Sequence, residues 1–273
     1  MQTSVTRLRD RIHSDFLMPS RLDAYRELLE SSQAAGYEIV SLERLWDLVV
    51  NGDPDPARRL LVLRHDIDTD GATAAAMWAI DQALGVRSSY FFRLATLDVT
   101  LMADITAGGG HASYHYEELA SVAKRRRLRS GPALLAHLPE ARDLFQREIE
   151  RLRTLTGLPM RVVAAHGDFV NRKLGVPNQE ILADPAFRRE VGIDLEAYDQ
   201  VLLERLPERY SDVAHPRYWT PGDPAVAIHR GEPAIQVLVH PRHWRVARAT
   251  NLRDDAQRLV EGVRFAIPRG RGR

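Results

Sequence analysis

The stretch that decides the fold is the apolar run Leu60-Leu61-Val62-Leu63, which continues directly into Arg64-His65-Asp66-Ile67-Asp68. A continuous apolar run of this length is typical of a strand that is buried on both faces, as in a parallel sheet. The abrupt change to charged residues marks the carboxyl end of that strand. In α/β proteins the active site lies beyond the carboxyl ends of the strands.

The rest of the chain alternates between predicted strands and helices. Apolar runs predict strands at 37–40, 89–94, 111–115, 161–165, 191–195 and 234–239, and helical spacing predicts helices at 20–35, 42–50, 71–84, 100–106, 117–127 and 139–155. This alternation indicates an α/β fold built around a parallel sheet, either a barrel or an open doubly wound sheet. We expect a single catalytic domain over 1–273, with a core at about 20–245 and peripheral segments at 1–19 and 246–273.

Composition excludes several classes of protein. The 273 residues include 44% hydrophobic residues, enough for one large core, and no cysteine, so disulfides and thiolate chemistry are excluded. A formal net charge of +1 argues against a field that would hold nucleic acid or an anionic membrane. The charged first residues do not resemble a signal peptide, and no apolar run could span a bilayer. We therefore expect a cytoplasmic protein without membrane insertion.

Polar groups with catalytic chemistry follow several of the predicted strands. These groups are His65, Asp66, Asp68, His115, His166 and His240. A lone His or Asp at a strand end is more often a capping or packing residue than a functional one. Several strand ends with such groups reverse that expectation, because the carboxyl ends of parallel strands meet at one edge of the sheet.

The two carboxylates after the first strand suit different tasks. Asp70 is explained by capping the following helix, but Asp66, directly behind a buried strand, is not. A buried carboxylate can serve as a general base, while a second one that binds a divalent cation stays ionised. We assign Asp66 to proton transfer and Asp68 to metal binding.

The other two metal ligands are expected to be histidines. His111 and His115 would share one face of a helix, but the three glycines before them favour a strand, in which residues four apart lie about 13 Å from each other. His115 is therefore kept as a ligand and His111 is expected in the core. His166, followed by Gly167, is the third candidate. Two His and one carboxylate suit Zn²⁺ first, with Co, Ni, Mn or Fe as alternatives.

The last strand end supplies a candidate acid. His240 directly follows Val237-Leu238-Val239 and is positioned to act as general acid. Trp244 offers a flat ring on which a sugar could stack, although a role as a core anchor is about equally expected.

These motifs resemble the polysaccharide-deacetylase (NodB-homology) family, in the branch whose first motif reads Arg-His-Asp-aliphatic-Asp. The resemblance includes Tyr90 to Leu94, Ser113 to Glu117, His166-Gly167 and Val237 to Pro241, so it covers about 60–245 in the expected order. It implies a distorted (β/α) barrel of about seven strands, a divalent metal, and removal of an N-acyl group, acetyl in the first instance, from a sugar. It also implies that Asp66 is the base, His240 the acid and His115 a metal ligand.

The departures from the family pattern matter for the site. The widespread form of the family has a second metal His four residues after the first, where this chain has Leu119, and its Arg-Pro-Pro-Tyr type motif is absent. His166 is proposed in place of the missing ligand. Arg93 and Trp244 are the candidate substrate contacts, and a cytoplasmic nucleotide- or lipid-linked sugar precursor of surface polysaccharide is the expected substrate.

Two alternatives remain open at this stage. Asp66-Ile67-Asp68 also reads as the Asp-x-Asp of a glycosyltransferase, which would need none of His115, His166 or His240. The missing histidine at Leu119 would also fit a catalytically degenerate relative that only binds sugar.

Overall fold

The fold was analysed in a computed structural model that describes residues 4–53, 55 and 57–267, with the backbone alone at 4, 5 and 7. Its strands are β1 (Tyr37–Val40), β2 (Arg59–Ile67), β3 (Ser89–Phe92), β4 (His111–Tyr116), β5 (Val162–Ala165), β6 (Leu195–Glu196), β7 (Glu208–Asp212), β8 (Trp219–Thr220) and β9 (Ala234–Val239). Within the described residues they form one sheet.

Eight of the described strands run parallel: seven in the order β6-β5-β4-β3-β2-β9-β7, and β1 beside β2. β8 continues the sheet antiparallel to β7, and β1 pairs with the first half of β2. Strands β2 to β6 stand side by side in chain order, which is the arrangement of a (β/α) barrel. The expected α/β fold with a distorted barrel of about seven strands is confirmed, and in the described chain no pairing joins β6 to β7, so the barrel is open there.

The α-helices that flank the sheet are α1 (Ser4–Ile12), α2 (Leu22–Ala34), α3 (Leu42–Asn51), α4 (Gly71–Ala83), α5 (Val99–Ala107), α6 (Glu118–Arg126), α7 (Gly131–Leu135), α8 (Leu138–Thr156), α9 (Phe169–Leu174), α10 (Pro185–Glu190), α11 (Gln200–Arg205), α12 (Pro224–Arg230) and α13 (Arg248–Ala266). A π-helical turn (His13–Leu17) extends α1, and 3₁₀ turns occur at Leu94–Thr96, Asn178–Leu182 and Pro241–His243. In the described part of the chain, no helix combines the length and apolarity that crossing a bilayer requires.

Most predicted elements are present within a few residues of their predicted bounds, but two differences affect the site. The predicted strand at 191–195 is wrong, since Gly192 has a positive φ of 65° and only Leu195–Glu196 is extended. The short strand β7 was not predicted. Its sequence, Glu208-Arg209-Tyr210-Ser211-Asp212, has no apolar run to signal it.

The two faces of β2 meet different parts of the core. Leu60 and Val62 pack with Phe91 in one buried cluster, whereas Leu61 and Leu63 pack in another cluster, with helix α2. Because side chains alternate along a strand, the polar residues that follow continue on the same two faces. The register of β2 therefore decides which of these residues meet in the site.

Candidate active site

Alternation along β2 separates the residues of the Arg64-His65-Asp66 segment. Arg64 and Asp66 share one face and are both buried, at 0% and 2% exposure. His65 lies on the opposite face, stacked on Tyr90 at 3.9 Å between ring centroids and hydrogen-bonded through Nε2 to the hydroxyl of Tyr25 at 2.7 Å. His65 thus follows an apolar run without joining the site, contrary to the expectation for strand-end groups. Burial lowers its pKa to about 3.

The three predicted metal ligands converge at the carboxyl ends of β2, β4 and β5. Oδ1 of Asp68 lies 3.3 Å from Nε2 of His115 and 3.0 Å from Nδ1 of His166. The two imidazole nitrogens are 3.3 Å apart. One cation can therefore contact all three atoms at once.

The chemistry of these three atoms fits a divalent cation. Nδ1–H of His115 donates to the carbonyl of Ala164 at 2.9 Å, which leaves the Nε2 lone pair facing the cluster. Oδ1 of Asp68 is buried without a hydrogen-bond partner among the described residues. Ligands about 2.0–2.2 Å from a tetrahedral ion would stand roughly 3.3–3.6 Å apart, close to the separations found here.

The carboxylate of Asp68 is held in its ionised form. Burial alone would raise its pKa, but the adjacent imidazoles of His166 and His115 hold the pKa well below its usual range. An anionic oxygen beside two imidazole nitrogens is a suitable ligand set for Zn²⁺ or a similar ion.

Asp66 is fixed by a salt bridge within its own strand. Nε and Nη2 of Arg64 each donate to one carboxylate oxygen of Asp66, both at 2.8 Å. Burial would raise the pKa of Asp66, but the charges of Arg64 and His115 lower it. Oδ2 of Asp66 also lies 3.4 Å from Nε2 of His115, so this carboxylate borders the cluster that Asp68 completes.

His240 is paired with Asp212, a residue of β7 that the sequence did not single out. Nδ1 of His240 lies 2.6 Å from Oδ1 of Asp212, and its backbone N–H donates to Oδ2 at 2.8 Å. Burial would lower the pKa of His240, but the charge of Asp212 and this hydrogen bond raise it to about 9. A second imidazole, that of His243, reaches the same Oδ1 at 3.2 Å.

The two predicted substrate contacts have different outcomes. Arg93 borders the cleft, but its guanidinium is bonded to both oxygens of Glu117 and, through Nη1, to the carbonyl of Asp68 at 3.0 Å. Trp244 is 1% exposed and donates through Nε1 to Asp212 at 2.8 Å. The prediction of Trp244 as a sugar platform is wrong, because its ring is enclosed in the core, where it contacts Tyr25.

His111, the alternative third ligand, lies away from the cluster. His111 is buried against Phe91 with its Nδ1 3.1 Å from the hydroxyl of Ser89, and it does not join the cluster of Asp68. Leu119 is fully buried in the core. The expectation that His111 is an inward core residue is therefore confirmed.

Tyr198 is a further site residue that the sequence did not indicate. Its ring lies beside the guanidinium of Arg64, 4.7 Å from the centroid, and its hydroxyl accepts from Nη2 of Arg64 at 3.3 Å. The residue is 39% exposed and borders a groove with His166. A single tyrosine after a two-residue strand carries no sequence signal that would have found it.

The site opens into a cleft of about 480 Å³. Asp68, His166 and His240 line its floor, and one side of α13 supplies Asp254 and Gln257 as a wall. A volume of this order accommodates a sugar residue with an attached group.

Comparisons with known proteins found similarity only at the level of structure. No family model matches the chain, and no curated protein sequence matches it. Among solved structures, the chain is similar to the deacetylase PplD of Streptococcus pyogenes in complex with acetate, at 13% identity and a TM-score of 0.43 over 81% of this chain and 84% of that one. It is also similar to BA3943, a CE4 family pseudoenzyme of Bacillus anthracis (14%, TM-score 0.38, 76% and 63%), and to the peptidoglycan deacetylase PdaC of Bacillus subtilis (13%, TM-score 0.36, 77% and 86%).

Proposed function

We propose that this chain is a metal-dependent hydrolase that removes an N-acyl group, acetyl in the first instance, from a sugar or a sugar-containing precursor. The observation that carries the proposal is the convergence of Asp68, His115 and His166 with atoms 3.0–3.3 Å apart, bordered by an arginine-bound Asp66. A paired His240 lines the same cleft. Metal-assisted amide hydrolysis uses these groups, namely a Lewis acid, a base and an acid.

The roles of the side chains follow from their protonation. Asp68, His115 and His166 would hold the ion, which when bound supplies a positive charge that polarises the scissile carbonyl. Asp66, ionised beside Arg64, accepts the proton of the attacking water. His240, protonated beside Asp212, donates a proton to the leaving amine, so that a neutral amine departs and a carboxylic acid is released.

Two pairs of opposite charge prepare the base and the acid for these roles. The guanidinium of Arg64 keeps Asp66 deprotonated and fixes its two oxygens, while the carboxylate of Asp212 keeps His240 protonated and fixes its ring. Groups whose environments separate their pKa values in this way are typical of acid–base pairs in active sites. Positioned proton transfer of this kind contributes roughly 10²–10⁴-fold to a rate.

The glycosyltransferase alternative finds less support in the contacts of the first aspartate. An Asp-x-Asp motif of that class needs carboxylate oxygens available to a cation that holds a nucleotide diphosphate. Each oxygen of Asp66 accepts a hydrogen bond from Arg64 at 2.8 Å, whereas Oδ1 of Asp68 has no hydrogen-bond partner among the described residues and lies beside two histidines. A glycosyltransferase site would also not require His115 or His166.

Metal content tests the proposal and the degenerate-relative alternative together. We expect protein purified without chelator to hold about one equivalent of Zn or a similar ion, and His115→Ala and His166→Ala each to lose most of it. The matched control is His111→Gln, which alters a buried histidine outside the cluster and should retain the metal. Absence of metal from the wild type, or retention by both ligand variants, would refute the assignment.

Acyl release then tests the chemistry. Acetate release from N-acetylated sugars, with short N-acetylglucosamine oligomers as the probe, should fall by at least 10²-fold in Asp66→Asn while metal content is unchanged. Normal turnover in that variant would exclude Asp66 as the base. For the natural substrate, we propose a nucleotide- or lipid-linked sugar precursor of surface polysaccharide.

A further inference from the structure

The two helices nearest the chain ends carry an unusual share of exposed apolar side chains. On α13, Leu252, Leu259 and Val263 are 60%, 68% and 51% exposed. Their spacing of seven and four residues places them on one face of the helix. On α1, Leu8 and Ile12 are 60% and 44% exposed, again one turn apart. We call these two sets together the terminal apolar surface.

α13 is held against the π-helical turn that extends α1, and one ion pair joins it to α1 itself. Nη2 of Arg11 lies 2.8 Å from Oδ1 of Asp255, and Nδ2 of Asn251 donates to the carbonyl of Asp15 at 2.7 Å. Nε of Arg248 donates to the carbonyl of Phe16 at 3.0 Å. The two apolar sets therefore belong to one packed unit.

The acidic side chains of α13 are all used in contacts with the body of the protein. Asp254 pairs with Arg242, and Asp255 pairs with both Arg242, at 3.2 Å, and Arg11. Glu261 pairs with Lys124 at 3.0 Å. These contacts turn the negative charges of the helix away from the side that carries the exposed leucines.

Arginines, in contrast, accompany the terminal apolar surface. Arg264 is exposed and contacts no carboxylate within the described part of the chain. The side chain of Arg9 on α1 is 82% exposed, with the carboxylate of Asp10 at 3.9 Å. The terminal apolar surface is thus accompanied by basic side chains, although the net charge of the whole chain is only +1.

We propose that the terminal apolar surface binds the surface of an anionic lipid bilayer, with α13 lying in the plane of the interface. Leucine and valine on one side of a helix, flanked by arginine and free of acid, complement a layer of acyl chains beneath anionic headgroups. A twofold contact with a second copy is disfavoured, because it would bring exposed arginines of one copy against those of the other.

This orientation has a consequence for the site. Asp254, Gln257 and Glu261 on the other side of α13 line the cleft that contains Asp68. The helix that would lie on the bilayer is thus also a wall of the cleft, so the cleft would open close to the headgroups. A substrate with a lipid anchor would suit that position. The lipid binding itself does not rest on the proposed function, since it is measured without substrate.

Vesicle co-sedimentation of the full chain tests the proposal. We expect binding to vesicles of phosphatidylcholine mixed with phosphatidylglycerol in roughly equal parts, and at least about tenfold weaker binding to phosphatidylcholine alone or at high salt. Leu259→Glu with Val263→Glu should weaken binding by at least about tenfold, and Arg264→Glu by about fivefold or more. The matched control, Val50→Glu, changes a residue that is 61% exposed on α3 and should leave binding unchanged.

Three outcomes would overturn the proposal. The first is no binding by the wild type, and the second is equal loss in the Val50→Glu control. The third is a dimer in sedimentation velocity that Leu259→Glu with Val263→Glu dissociates, without vesicle binding by the wild type, which would assign the surface to a second copy. Unchanged circular dichroism spectra of the variants would show that they fold. Acetate release by the protein in free solution, measured in parallel, distinguishes a failure of the proposed hydrolase function from a failure of lipid binding.

Discussion

Replacing Asp212 with Asn should remove a pH dependence of stability that the wild type shows in the neutral to alkaline range. Asp212 raises the pKa of His240 from its ordinary 6.5 to about 9. Between these values the folded protein holds a proton that the unfolded chain releases. The free energy of unfolding therefore falls as pH rises, by about 1.4 kcal/mol per pH unit and about 3 kcal/mol in all. This contribution is fully present below pH 6.5 and is lost as pH passes 9.

Urea unfolding of chelator-treated protein at a series of pH values measures this slope. The buried carboxyl groups of Asp81, Glu118 and Glu196 titrate near pH 7 because burial raises their pKa values to about 7, so the upper part of the range reports on His240. In Asp212→Asn, the free energy of unfolding should be lower at every pH of the series. In the upper part of the range it should be nearly independent of pH.

A histidine substitution serves as the control, and the pKa of His240 in the wild type decides whether the reasoning holds. His229→Gln alters an exposed histidine on α12 and should leave the slope unchanged. An NMR titration of the His240 ring gives its pKa directly. A His240 pKa below 7 in the wild type, or an equal slope in Asp212→Asn, would refute the role assigned to this pair.

Three further predictions concern the neighbours of this pair and of the base. Arg64→Met should destabilise the fold by roughly 3–5 kcal/mol in chemical denaturation, because it leaves the buried Asp66 carboxylate unpaired. In any Arg64→Met enzyme that folds, the pKa of Asp66 should rise, moving the acidic limb of the kcat/KM profile to higher pH. Trp244→Phe should cost about 1–3 kcal/mol through the lost hydrogen bond to Asp212 and leave KM unchanged, which a substrate titration checks.

Much of the fold and half of the site could be predicted because the signals are local. The apolar run of β2 indicated a buried parallel strand, and the groups at the carboxyl ends of β2, β4 and β5 had to meet at one edge of the sheet. Asp68, His115 and His166 were identified in this way, and the structure brings them within 3.0–3.3 Å. Chain order and polarity at strand ends were sufficient for that result.

The other half of the site depends on partners that no local pattern reveals. β7 has no apolar run, because one of its neighbours is the two-residue strand β8 at the sheet edge, so Asp212 gave no signal. Trp244 illustrates the reverse problem, because the sequence around a tryptophan does not show whether its ring faces a cleft or the core. Only its distance of 2.8 Å from Asp212 and its 1% exposure distinguish the two.

The pattern Arg64-x-Asp66-x-Asp68 explains how one short segment can supply three different parts of the site. A period of two keeps Arg64 and Asp66 on one face of the extended strand, while His65 faces the helices. Asp68 follows at a bend, where its backbone N–H donates to the carbonyl of Asp66 at 3.1 Å. A one-residue shift in the register of β2 would exchange the faces, placing His65 in the site and the two charged groups of Arg64 and Asp66 against the apolar cluster of Tyr25. Because Leu60, Leu61, Val62 and Leu63 are all buried, the apolar run alone would tolerate that shift. The cost of burying charged groups in an apolar cluster opposes it, so the packing of the core also fixes the chemistry.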